Sequence, residues 1–107
     1  MEGIGTKPNQ EEAVRWFRAG AAQGHAFSLN NLADAYETGR GVPLDFRLAC
    51  DYYEQAASAG VVLAMKSLAH LLETGQGRSK NAKKARLWWE KAAAAGDDEA
   101  KAKLCAG

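Results

Sequence analysis

Few side chains in this sequence are of the types that carry chemistry, and their spacing assembles none of the usual constellations. His25 and His70 stand far apart, and no Cys/His grouping has metal-ligand spacing, so no metal site is expected. Cys50 and Cys105 are too few for a disulfide framework. A nucleophile needs an adjacent base and a third group that orients the base, and no Ser or Cys is set in such a triad. The paired glycines Gly39–Arg40–Gly41 and Gly75–Gln76–Gly77 lack the Lys and the preceding strand of a phosphate loop, and read as turns. No cofactor is expected. Function has to be argued from a site, so the chain reads as a non-enzyme.

Charge and hydropathy narrow the remaining classes. The 107 residues suit one domain, and 47% hydrophobic with 25% charged is ordinary globular usage, enough for one core. The formal net charge of +1 gives the whole molecule no electrostatic preference for nucleic acid or membrane. Residues 1–75 hold six Lys/Arg against nine Asp/Glu, and residues 76–107 hold eight against four. The basic cluster Arg78, Lys80, Lys83, Lys84 and Arg86 could meet phosphate, but no aromatic is interleaved in its loop, so it reads as a solvated face and no nucleic-acid partner is expected. No stretch approaches the roughly 20 apolar residues of a membrane span, and no basic segment precedes an apolar run as in a signal peptide. The compartment stays open.

The strongest signal is an internal repeat. Shifted by 36 residues, the chain matches itself without a gap: Ala13 falls on Ala49 and Ala85, Trp16 on Tyr52 and Trp88, and Phe17 on Tyr53 and Trp89. Ala21, Ala57 and Ala93 align, as do Gly24, Gly60 and Gly96, and Leu32, Leu68 and Leu104. Gly3, Gly39 and Gly75 align, then Gly5, Gly41 and Gly77, then Asn9, Asp45 and Asn81. Each unit holds two helices. Asn9, Asp45 and Asn81 are N-cap residues whose side-chain oxygens accept from first-turn N–H groups, and the helices after them span 10–23, 46–59 and 82–95. Gly24, Gly60 and Gly96 end them, because glycine tolerates the left-handed conformation. The second helix type spans 26–38, 62–74 and 98–106. Apolar residues recur at helical spacing, with Ala13, Trp16, Phe17, Gly20 and Ala21 on one helix and Leu29, Leu32, Ala33 and Tyr36 on its partner. Small residues let the axes approach while aromatics fill the space beside them, so the pairs Trp16/Phe17, Tyr52/Tyr53 and Trp88/Trp89 are expected in the core. The fold class is therefore all-α: a right-handed α-α superhelix of about three helix-turn-helix repeats and six helices. The whole chain, 1–107, forms one solenoid with frames near 1–24, 25–60 and 61–96 and a partial or capping unit at 97–107.

These residues resemble the Sel-1-like repeat family, a relative of tetratricopeptide repeats with a longer unit. Ala49–Cys50–Asp51–Tyr52–Tyr53–Glu54–Gln55–Ala56–Ala57–Ser58–Ala59–Gly60 is similar to its signature of an Ala, two aromatics, a double Ala and a Gly. Gln23–Gly24–His25–Ala26 resembles its turn, and the segment from Leu32 to Asp45 its long second half with the Gly-x-Gly-Val loop. The loops 3–9 and 75–81 lack the Val, and are expected to keep the turn and lose some packing. Some family members carry a disulfide in every repeat. Here Cys105 aligns with Ala33 and Ala69 and reads as a small buried hydrophobe, while Cys50 aligns with Val14 and Arg86. Family members in bacteria are often exported. Some have been proposed to hydrolyse β-lactams, but no Ser-x-x-Lys occurs here: Ser28 leads to Asn31 and Ser58 to Val61.

The resemblance implies an interaction scaffold. In the related tetratricopeptide fold the concave groove is lined by the helix with the Leu-Gly/Ala-x-x-Tyr pattern, here 26–38 and its copies. With Leu32, Ala33 and Tyr36 inward, the face turned to a partner is Phe27, Asn30, Asp34 and Glu37, and in the next copy Leu63, Lys66, His70 and Glu73. The mixture suits an extended peptide or a helix of a protein partner. The alternatives are a structural segment that stacks end to end with another copy or a longer array, since uncovered solenoid ends leave an apolar face, and, more remotely, a hydrolase.

Overall fold

The computed structural model describes residues 9–106. Among these residues the chain forms six helices and no strand: α1 (Gln10–Ala22), α2 (Ala26–Thr38), α3 (Phe46–Ser58), α4 (Val62–Thr74), α5 (Ala82–Ala94) and α6 (Asp98–Ala106). Each helix packs against its sequence neighbours, which stretches the molecule into an α-α superhelix of 53 × 27 × 26 Å. The first loop, residues 3–8, lies outside the described residues.

The boundaries follow from local chemistry. Asn9, Asp45 and Asn81 accept from the amides of Glu12, Leu48 and Lys84 at 3.0–3.1 Å, contacts typically worth about 1 kcal/mol each. A fourth cap was not legible in the pattern: the Asp97 carboxylate accepts from Ala100 N at 2.9 Å and starts α6, where His25 and Val61 at the same register make no such bond. Gly39 and Gly75 close α2 and α4 in the left-handed conformation. Gly41 and Gly77 serve a different need, since the loop after each second-type helix lies against the start of the preceding helix. A Cβ on Gly41 would sit 2.5 Å from the Gln10 carbonyl oxygen, and one on Gly77 would fall onto the Phe46 carbonyl.

The core runs as one line through the stack: Val14, Leu32 and Ala33, then Ala49, Tyr53 and Ala56, then Leu68, Ala69, Trp89 and Ala92. Two expectations fail at the ends of this line. Trp16 is 70% exposed, whereas its register mates Tyr52 and Trp88 are half-buried. Tyr52 stacks on Tyr36, one helix earlier, and no described helix lies before α1 to do the same for Trp16. Cys105 is exposed rather than buried. Ala33 and Ala69 at its register lie at 0% exposure because α3 and α5 pack over α2 and α4, and the matching face of α6 is open. Both cysteines are free. Cys50 is buried, with Sγ 3.4 Å from the Gln76 carbonyl oxygen, and burial raises its thiol pKa.

The loop without valine keeps its turn and replaces packing with charge. Arg78 stands where Val42 packs on the core, and its Nη2 reaches Asp51 and Glu54 at 2.8 Å each.

Gly77→Ala should lower stability by about 1–3 kcal/mol, the usual range for a strained backbone position, and should lower the urea midpoint more than Gly60→Ala, whose Cβ would meet open space. Equal midpoints would show that the loop does not need its close approach to α3. In the native chain a disulfide reagent should label Cys105 within seconds and reach Cys50 only as the chain unfolds, because a buried, protonated thiol is a poor nucleophile. Equally fast labelling of both would contradict the burial of Cys50.

Candidate functional site

Helical periodicity gives α2 and α4 one face opposite the core and one shoulder beside it. The strip expected from the sequence divides between the two. The outward row is Phe27, Asn31, Asp34 and Thr38 on α2, with Leu63, Ser67, His70 and Thr74 at the same register on α4. Phe27 is 69% exposed and Leu63 59%. Asn31 and Ser67 belong to this row although the apolar pattern did not single them out. The signal lay in the spacing 27, 31, 34, 38, which stays opposite Leu32, Ala33 and Tyr36 over three turns.

The shoulder positions Asn30, Glu37, Lys66 and Glu73 turn toward neighbouring helices. Glu37 Oε1 accepts from the Tyr53 hydroxyl of α3 at 2.6 Å. Glu73 repeats the contact one unit later, with Oε2 accepting from Trp89 Nε1 of α5 at 2.9 Å and Oε1 pairing with Lys103 Nζ of α6 at 3.2 Å. Lys66, its side chain only 18% exposed, pairs through Nζ with Asp97 at 3.2 Å and Glu99 at 2.9 Å. Asn30 is half-buried, with its Oδ1 facing inward where no donor among the described residues meets it. Of the outward row, Asp34 is paired with Arg40. His70 lies edge-on to Trp89 at 5.0 Å between centroids, with Glu73 and Glu99 each 3.8 Å from a ring nitrogen. The structure thus leaves Phe27 and Leu63 as the most open members of the strip and binds Glu37, Lys66 and Glu73 into the scaffold.

The electrostatics fit this division. Burial, then the hydrogen bond to Glu37, holds the Tyr53 phenol far above its ordinary pKa, so it remains a donor at every physiological pH. Hydrogen bonds to Glu99 and Asp97 raise Lys66. The Lys66 hydrogen bond lowers Glu99. Asp97 is lowered first by the Ala100 amide and then by Lys66. Among the described residues no three His, Cys, Asp or Glu side chains are grouped to hold a metal ion. No described helix is long and apolar enough to cross a membrane.

The Sel1 repeat model matches residues 1–25, 26–61 and 62–97. A Sel1 repeat protein from Oxalobacter formigenes superposes with a TM-score of 0.89 at 34% identity, over 95% of this chain and 42% of that one. Cysteine rich protein B of Helicobacter pylori gives 0.85 at 25% identity, over 92% and 74%. A sel1-like repeat-containing protein of Acanthamoeba polyphaga mimivirus is 37% identical over 54 residues, half of this chain and 10% of that protein. The chain therefore spans a tenth of the viral relative and less than half of the Oxalobacter one.

The Lys66 cluster makes a signed prediction. Asp97 and Glu99, depressed in the folded state, stabilise it above their unfolded values near pH 4, and that contribution is lost as pH falls through the lower folded values. Lys66, raised when folded, contributes up to its unfolded value near pH 10.4 and loses the contribution above it. Lys66→Met should therefore be less stable than the native chain between about pH 5 and 9, with the gap closing toward pH 3. A gap that is the same at pH 3 and pH 7 in urea titrations would mean that packing, not charge, holds α4 to α6.

Proposed function

The chain belongs to the Sel1 repeat family, and from that premise we propose that it is a scaffold whose shared face on α2 and α4 binds an extended peptide or helix of a protein partner. Sel1 repeat proteins generally act as protein–protein interaction scaffolds, and the family is typically non-enzymatic. The observation that carries the reading is the pair of open apolar side chains at one register, Phe27 and Leu63. The core does not use them, and they recur at one-repeat spacing among polar neighbours. Two apolar anchors with Asn31, Asp34, Ser67 and His70 around them supply apolar contact points and hydrogen-bond groups for a partner. Glu37, Lys66 and Glu73 then act indirectly, by fixing the spacing of the helices that carry the contact residues.

Phe27→Ser together with Leu63→Ser should lose the partner in a crosslinking and mass-spectrometry comparison while leaving the helical signal and urea midpoint close to native, since exposed substitutions usually shift stability by about 0.5 kcal/mol or less. Retention of the same crosslinked proteins by both chains would discard this face. A second reading rests on Trp16: its exposure favours an added helical layer on α1, supplied by a second copy or another repeat. Trp16→Ser should abolish any concentration-dependent association seen in sedimentation. A native chain that stays monomeric at all concentrations would remove the second-copy form of that reading.

A further inference from the structure

The two junctions between successive repeats are built from the same positions and filled differently. In the first, Tyr36 of α2 stacks on Tyr52 of α3, with ring centroids 5.9 Å apart and planes 14° apart. The Tyr36 hydroxyl accepts from Arg18 Nη2 at 2.7 Å. Moving 36 residues along, Arg18 becomes Glu54, Tyr36 becomes Leu72 and Tyr52 becomes Trp88. Leu72 has no ring to lay on Trp88, and Glu54 is drawn aside by Arg78 at 2.8 Å. A cleft of about 180 Å³ opens beside it, lined by Leu87, Trp88 and the edge of buried Leu72 together with Glu54, Arg78, Lys84 and Lys91. Leu87 is 52% exposed.

The charge around this cleft is compensated only in part. Arg78 is neutralised by Asp51 and Glu54, and Arg86 pairs with Glu90. Among the described residues Lys80, Lys83, Lys84 and Lys91 have no carboxylate within ion-pair distance. Lys84, Leu87, Trp88 and Lys91 fall at i, i+3, i+4 and i+7 of α5 and so share one face, and Lys91 Nζ already lies 4.8 Å from the Trp88 ring centroid. Nothing in the fold requires these cations: α3 carries Leu48, Asp51, Tyr52 and Gln55 at the same four positions.

We propose that this cleft is a second binding site, for an aromatic side chain carried by an acidic peptide segment of a partner protein. The partner's ring lies in the cleft against Leu87 and Trp88, and carboxylates on either side of it meet Lys84 and Lys91. The cleft is below the roughly 300–1,000 Å³ of small-molecule sites, which suits one side chain rather than a whole ligand. One open leucine with a half-buried tryptophan is too little apolar surface to enter a bilayer.

The test is fluorescence anisotropy of the full chain with a labelled Asp-Glu-Tyr-Glu-Asp peptide at low salt. Saturable binding is expected. It should weaken about tenfold or more, equivalent to about 1.4 kcal/mol, when the probe's Tyr is replaced by Ala or its acids by amides, and likewise in the Lys84→Gln, Lys91→Gln double variant. Leu72→Tyr, which rebuilds the first junction's filling, should abolish binding with the circular dichroism spectrum unchanged. The proposal is overturned if the native chain does not bind the probe, if the double lysine variant binds like the native chain, or if an oligonucleotide or phosphatidylserine vesicles bind and the probe does not compete. Loss of binding in the Phe27→Ser, Leu63→Ser variant would also overturn it, because that would place the peptide on the other face.

Discussion

The stack depends on how closely the two helices of each pair can cross. At Gly20 the approach is tight enough that a Cβ would overlap the Ser28 side chain. The same crossing is made one repeat later by Ala56 and Ala64 and again by Ala92 and Ala100, all at 0% exposure. Helix axes that cross over such small residues leave no room for water, so dispersion contacts between backbones replace the bulk of large side chains. The large residues Tyr53, Leu68 and Trp89 are then free to fill the gaps between pairs. This division makes the 36-residue unit repeatable: the small residues set the spacing within a pair, and the rings set the spacing between pairs.

Between pairs the apolar contact is directional only because it is pinned by hydrogen bonds. Glu37 on the Tyr53 hydroxyl and Glu73 on the Trp89 indole tie a second-type helix to the ring of the next first-type helix. A ring sliding in a greasy slot could settle at several depths, but a buried donor must find its acceptor, and an unmade bond there costs about 1–3 kcal/mol. The carboxylate is thus a register device. It also explains why these acids, although accessible at one edge, are poor candidates for contact with a partner: engaging them would release a buried donor inside the scaffold.

The helices, their caps and their order were legible in the sequence because each is fixed by neighbours a few residues away. Asn9, Asp45 and Asn81 announce a helix start whatever the tertiary context, and a period of 36 with no gap leaves little freedom of topology. The site was legible only in part. Phe27 and Leu63 fall where helical spacing puts them, but Glu37, Lys66 and Glu73 sit on the helix shoulder, where burial depends on whether α3, α5 and α6 reach over them. Lys103 and Glu99, which capture Glu73 and Lys66, lie about 30 residues downstream, beyond any local pattern. Arg78 was read as part of a solvated basic cluster, and its position against Asp51 and Glu54 depends on a loop folding back across two helices.

Residues at one register can have identical sequence signatures and opposite fates, because burial in a solenoid belongs to the position in the stack. Trp16 carries the signature of Tyr52 and Trp88 and lies open; Cys105 carries that of Ala33 and Ala69 and lies open. The two ends are nevertheless unlike. On α6 the buried register of Leu29 and Met65 holds Lys101, which is exposed, and that of Phe27 and Leu63 holds Glu99, so this helix presents charge where its predecessors present hydrocarbon. The α1 end has no such substitution: it keeps the aromatic pair Trp16 and Phe17 at the positions by which α3 receives α2.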